Sequence, residues 1–323
     1  MNNKKFSIKN LFQVLKNAFK GISEDKVTKL SGSLAYYTVF SMGPLLLVII
    51  SLCSIILGRE AVEGQVYAQL DGFLGHDTAL QIQEIIKNAS LQGKSTFAAT
   101  IGGIALLIGA TTVFAEIQDS INTIWGLKPK PKKGWLKMLQ NRFLSFSIII
   151  SLGFLLLVSL GINSILDIFS KGLSAHFPDT SVVIFYIINL VITFLVTALI
   201  FGVIFKVLPD AKITWKDVRA GAMTTAFLFM LGKFAISFYI GRTNISSTYG
   251  AAGSLVVLLL WVYYSAIILY FGAEFTKAWA MQFGETIHPN SYAVTTKQVE
   301  VETGKKSIQE KENTSAKEAI KKA

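Results

Sequence analysis

AYYTVFSMGPLLLVIISLCSIIL, residues Ala35–Leu57, holds no charged side chain over 23 residues. At about 1.5 Å of rise per residue a helix of that length reaches about 34 Å, enough to cross a hydrocarbon layer about 30 Å thick. Five further apolar runs follow, so the predicted spans are 35–57, 97–114, 143–166, 181–205, 220–240 and 250–271. Backbone groups find no water in lipid, which leaves helices or closed barrels. The alternating segments of about ten residues that a barrel shows are absent. The expectation is an all-α, polytopic membrane bundle of six transmembrane helices.

Composition agrees. Of 323 residues 52% are hydrophobic and 16% charged, with mean hydropathy +0.50. A water-soluble domain carries about 25% charged residues. The basic residues also alternate. Of the 31 Lys and Arg, 25 fall in the N-terminal segment, the second and fourth loops and the C-terminal segment, against five in the other loops. The positive-inside rule then places both termini of this multi-pass chain in the cytoplasm. The net charge of +11 gathers on that side, where the expected partner is a bilayer with anionic headgroups; no specific nucleic acid is needed to explain it. The lysine-rich N-terminus predicts no cleaved signal peptide.

Three regions follow. Residues 1–34 form a basic N-terminal segment in which Ile8, Leu11, Phe12, Leu15, Phe19 and Ile22 recur at helical spacing, with Lys9, Lys16 and Lys20 on other faces. That describes an amphipathic helix, either in the cytoplasmic interface or docked on the bundle. Residues 35–284 form the transmembrane domain, with a helical external loop over 58–96 in which Asp77 is a candidate cap. Residues 285–323, rich in Lys, Glu, Gln and Thr, predict a disordered cytoplasmic tail.

Polar groups inside the spans are the candidate substrate-binding residues. Lys233 is foremost, because a cation at span depth costs at least about 2.5 kcal/mol on insertion scales and faces a partner, a watery cavity or, by snorkelling, the headgroups. Asp167, at the outer end of the third span, is a nearer candidate partner than the acids at the inner end. Pro44 removes a backbone donor and clashes with the Phe40 carbonyl, predicting a kink or break beside Tyr36, Tyr37 and Ser41. Glu116, Asp119 and Asn122 follow at i+3 steps and predict one polar helical face, with Glu274 at comparable depth. Trp261, Tyr263 and Tyr264 stand too deep for the interfacial belt and need partners inside the bundle. Gly102, Gly103, Gly109, Gly250 and Gly253 read as close helix contacts. His76, His176 and His288 never form a ligand spacing, and Cys53 is the single cysteine, so no metal site, cofactor or catalytic residue is expected. Nor is there a phosphate-binding loop or a nucleophile elbow.

The stretch from Leu34 through Pro44, Ile121-Asn122-Thr-Ile-Trp125, Leu208-Pro209 with Trp215 and Gly221-Ala222, Lys233 with Tyr239, and Tyr249 through Ser265 with Gly272-Ala-Glu274 together resemble the YihY/BrkB family of bacterial inner-membrane proteins. The resemblance covers about residues 10–284 and implies six membrane helices. Members have carried the labels ribonuclease BN, virulence factor and serum-resistance protein, and lipid or solute export has been suggested. It carries over Lys233, Glu274, Pro44 and the motif Tyr249, Gly250 and Gly253. The leading expectation is a transporter, exporter or lipid translocator for an anionic or amphipathic solute. A non-transporting scaffold for envelope assembly is the alternative; it predicts that deleting residues 1–24 or the tail matters more than changing Lys233. A membrane-associated ribonuclease or hydrolase ranks last, and homo-oligomers are left open.

Overall fold

The computed structural model describes residues 7–57, parts of 63–71, 79–84, 112–129, 178–242, 252–284, 287–290 and 292–296. The helices are α1 (Ile8–Glu24), α2 (Val27–Leu57), α3 (112–124), α4 (Pro178–Val207), α5 (Trp215–Arg242) and α6 (Gly253–Phe283). Shorter helical pieces lie within 63–71 and over 79–84. Four short strands complete the described elements: β1 (Leu127–Pro129), β2 (Ala211–Lys212), β3 (His288–Pro289) and β4 (Ala293–Thr295). The predicted third span, Asp77 and Asp167 lie outside the described residues, as does most of the second span.

Helices α4 and α5 contain the predicted fourth and fifth spans, α6 the sixth from Gly253 onward, and α2 the first. Among the described residues, Ile187–Val207 and Leu255–Phe283 are long and apolar enough to cross a membrane. The surface supports the same reading. On α5, Met223, Phe227, Leu231, Phe234 and Phe238 are all at least 50% exposed while Asp217 and Thr225 are buried. Such an inversion suits lipid as the solvent, not water. The core gathers Val27 and Leu34 of α2, Phe114, Ile117 and Ile121 of α3, Phe205 of α4, Ala222 and Ala226 of α5, and Tyr270 and Ala273 of α6.

Three sequence expectations are corrected. First, α2 runs unbroken through Pro44. A proline lacks one N–H, but a long helix with many other bonds tolerates that loss, so of the expected kink or break it is the break that does not form. Second, α6 continues twelve residues past Phe271, taking Glu274, Thr276 and Lys277 into the helix. Third, the tail is ordered in part. Ala293–Thr295 pairs antiparallel with Leu127–Pro129, and His288–Pro289 with Ala211–Lys212. The segment after α6 thereby ties the end of α3 to the α4–α5 connection.

Helix α1 is docked on the bundle. Val14 and Ala18 pack with Phe271, Phe275 and Ala278 of α6, and the Phe19 ring lies 5.1 Å from that of Phe271. Ile8 and Phe12 stay exposed on the edge next to the lysines, so the same helix keeps an apolar and basic rim. Deleting residues 1–24 would strip part of the core, and so tests folding and not docking.

Candidate functional site

Two polar clusters sit within the apolar bundle, both at the end where the basic segments meet. The first centres on Asp210, which is 2% exposed. Helix α4 ends at Val207 because Pro209 cannot continue it. Helix α5 starts under a cap from Thr214: the Asp217 N–H donates to the Thr214 hydroxyl at 3.4 Å, and that hydroxyl donates to the Asp217 carboxylate at 2.7 Å. The short connection between them aims Asp210 at α3. Gln118 Nε2 donates to Asp210 Oδ1 at 3.2 Å, Asn122 Nδ2 to Oδ2 at 3.1 Å, and the Asp210 N–H to Asn122 Oδ1 at 2.9 Å. The Asn290 N–H reaches the Asp210 carbonyl at 2.9 Å, and Asn290 Nδ2 donates to the Tyr292 hydroxyl at 3.2 Å. Burial, and next the charge of Asp210, push the Tyr292 hydroxyl above the usual tyrosine range. The Asp210 carboxylate and the two side-chain amides facing it are paired with one another, which marks this cluster as a structural clasp.

The second cluster joins α6 to the α1–α2 turn. The Lys277 ammonium lies 3.2 Å from Asp25 Oδ2 and 3.7 Å from Glu274 Oε2, and donates to the Ile124 carbonyl at the end of α3. Glu274 is only 3% exposed. Gly21 of α1 lies flat against its carboxyl group: a Cβ there would fall 2.7 Å from Oε1. Through these two clusters the N-terminal segment, the α3 end, the α4–α5 connection and the C-terminal segment meet at one end of the bundle. They are the four segments in which the basic residues concentrate.

Between α5 and α6 the contact is closer than side chains normally allow. A Cβ on Gly221 would fall 2.8 Å from Thr276 Cβ, and one on Gly272 would fall 2.9 Å from Thr225 Cβ. Each threonine hydroxyl donates at 2.7 Å to the glycine carbonyl four residues earlier in its own helix. The motif is thus reciprocal, Gly221 with Thr225 against Gly272 with Thr276, and fixes the antiparallel register. Further along, Gly232 meets the Tyr264 ring and hydroxyl in the same register.

That register locates Lys233. Glu274 is level with residue 223, ten residues from Lys233, hence about 15 Å apart along the axis. The two do not share a site. Lys233 is half-buried, between Leu231 and Phe234, which are 52% and 59% exposed. Tyr36 and Tyr37 are exposed on α2, with their rings 5.6 Å apart, and Ser41 is buried. Trp261 packs edge-on to Phe229 at 5.7 Å. Gly253 is buried at the start of α6; Tyr249 and Gly250 lie outside the described residues, as does the side chain of Pro44. The single polar face on α3 is a further correction. Asn122 turns with Gln118 to Asp210, whereas Asp119 is exposed and Glu116 half-buried, because steps of three drift around a helix with 3.6 residues per turn.

Sequence reasoning missed Asp210, Gln118, Asp25, Lys277, Asn290 and Tyr292. For Asp25 and Lys277 no local signal exists, since the partners stand 252 positions apart. The Gly-x-x-x-Thr spacing repeated at 221 and 272 was legible and is the signal that locates the tightest helix contact.

Apolar surface outside and buried polar side chains inside define the class as a helical integral membrane protein. The virulence factor BrkB family matches over residues 18–293, and the chain belongs to that family. It is 26% identical over 272 residues to a UPF0761 membrane protein of Pseudoalteromonas atlantica, covering 82% of this chain and 85% of that one. A UPF0761 membrane protein of Haemophilus influenzae is 27% identical over 261 residues, covering 79% and 91%. One from Paraburkholderia xenovorans is 28% identical over 296 residues, covering 90% of this chain and 65% of its own length. No solved structure matches.

Proposed function

We propose that this chain is a multi-pass protein of the bacterial cytoplasmic membrane that moves an anionic amphiphile, a lipid or lipid-like solute, between the leaflets or out of the cell. In this reading six helices span the bilayer and both termini are cytoplasmic, an orientation that the distribution of Lys and Arg supports. The supporting observation is Lys233. It is a half-buried cation at span depth, flanked on its own helix by exposed Leu231 and Phe234. A headgroup phosphate or carboxylate would meet the ammonium while acyl chains lie along the apolar flank. Amphiphile chemistry fits that juxtaposition better than a small hydrophilic solute does. The reading assigns no bond-making step, so the protein is not an enzyme in it.

The test is leaflet exchange in proteoliposomes. Fluorescent phosphatidylglycerol placed in the inner leaflet should become accessible to an impermeant quencher faster with the protein than without. Lys233→Met should reduce the protein-dependent rate at least tenfold, about 1.4 kcal/mol or more, while leaving abundance and thermal midpoint unchanged. A wild-type rate equal to that of empty vesicles would contradict the proposal for this lipid class. Equal loss of rate and stability in the variant would assign Lys233 to packing.

A further inference from the structure

Glu274, three residues past the predicted end of the sixth span, is 3% exposed, and no donor reaches its buried Oε1. Its Oε2 lies 3.7 Å from the Lys277 ammonium. That ammonium stands closer to Asp25 Oδ2, at 3.2 Å, and also donates to the Ile124 carbonyl. Asp25 and Lys277 therefore balance each other. A negative charge on Glu274 would have no counter-ion of its own, and a buried charge in that condition gives way to the neutral form.

The neighbouring group is itself a carboxyl. The Asp25 side chain comes within hydrogen-bonding reach of the Glu274 carboxyl group. Two carboxylates offer acceptors alone, so they can bond each other only when one of them holds a proton. Burial decides which one does: the Glu274 side chain is 3% exposed, against 25% for Asp25, and Asp25 has the closer lysine. Among the described residues two charged groups act on Glu274, Asp25 from the α1–α2 turn and Lys277 from its own helix. Helix α1 faces it with Gly21, where a Cβ would fall 2.7 Å from Oε1, so on that side the backbone lies flat against the carboxyl group.

We propose that Glu274 is a proton-binding site, and that its carboxylic acid donates to the Asp25 carboxylate and so joins α6 to the α1–α2 turn. Asp25 and Lys277 are 25% and 30% exposed, so the site opens to water at the end where the basic segments meet. Release breaks one O–H bond and hands the proton to that water. Two carboxylates then face one ammonium, and their repulsion drives the turn away from α6. If the protein translocates an amphiphile, this proton is its coupling ion, and that use rests on the proposal above. Proton binding is read without any transport step, so the two can fail separately.

The experiment is infrared difference spectroscopy of the purified full-length protein in nanodiscs, between about pH 6 and about pH 10, with the thermal midpoint followed over the same range. The wild type should show a protonated-carboxyl band that is lost as the pH rises, and Glu274→Gln should lack it. The folded protein holds a proton that the unfolded chain, with an ordinary glutamic acid, has already lost at these pH values. Raising the pH should therefore lower the wild-type midpoint relative to that of Glu274→Gln. Asp25→Asn leaves Glu274 free to pair with Lys277 as a carboxylate, so it should lose the band at about pH 7, and it keeps the test decisive if Glu274→Gln does not fold. A band that is missing from the wild type, or retained by folded Glu274→Gln or Asp25→Asn, would overturn the site, as would midpoints that run parallel.

Discussion

Gly221→Ala is expected to destabilise the protein more than a methyl addition at either of the other two glycines of the α5–α6 contact, Gly232 and Gly272. The new Cβ would fall 2.8 Å from Thr276 Cβ and 3.2 Å from Thr276 Cα. A side-chain tip can rotate away, but a backbone carbon cannot. Helices α5 and α6 would have to part, and the reciprocal contact of Gly272 with Thr225 would open with them. Overpacking costs about 1–3 kcal/mol where neighbours can adjust, and this site lies at or above the upper end of that range. The check is the thermal midpoint in nanodiscs, together with Gly221→Ala/Thr276→Gly. That pair removes the opposing Cβ and hydroxyl, and should recover most of the loss less about 1 kcal/mol for glycine in a helix. No recovery would show that the clash is not the cause.

Asp210→Ala should be the next most damaging change. The carboxylate accepts from the buried amides of Gln118 and Asn122, which are 2% and 3% exposed. Its removal leaves two buried donors without an acceptor, at about 1–3 kcal/mol each, or roughly 2–6 kcal/mol in all. The connection that ties α4 and α5 to α3 and the C-terminal strands would loosen. Gln118→Leu should cost far less, since Asn122 still bonds the aspartate through both its amide and its carbonyl. Equal midpoints for the two variants would mean that Asp210 does not organise this end.

What sequence could foretell here follows from the range of the physics involved. Helix positions are local, and the apolar runs located α2, α4, α5 and α6 to within a few residues at most ends. The end of α6 was misplaced because Glu274 and Lys277 read as a water boundary, whereas they are paired inside the helix and its packing. The clasp at Asp210 depends on residues 88 and 92 positions away, and the pairing of Lys277 with Asp25 on 252. Such contacts leave no periodicity to read. Likewise the tail after Thr286 has the composition of a disordered segment, yet Ala293–Thr295 is held by the strand it joins. Lys233 was legible because burying a charge is costly wherever it occurs, and Glu274 for the same reason.

The meeting of four basic segments at one end has a direct consequence for topology. Cys53 is the single cysteine, so a Cys53→Ser background can carry lone cysteines at the exposed positions Lys128, Lys212 and Thr295. These sites belong to three different segments joined by strand pairing, and they must lie on one side of the membrane. With a membrane-impermeant maleimide applied to intact spheroplasts, all three should stay unlabelled, and all three should label once the inner membrane is opened. Labelling of any one of them in intact spheroplasts would contradict a cytoplasmic basic end, and with it the orientation on which the translocator proposal stands.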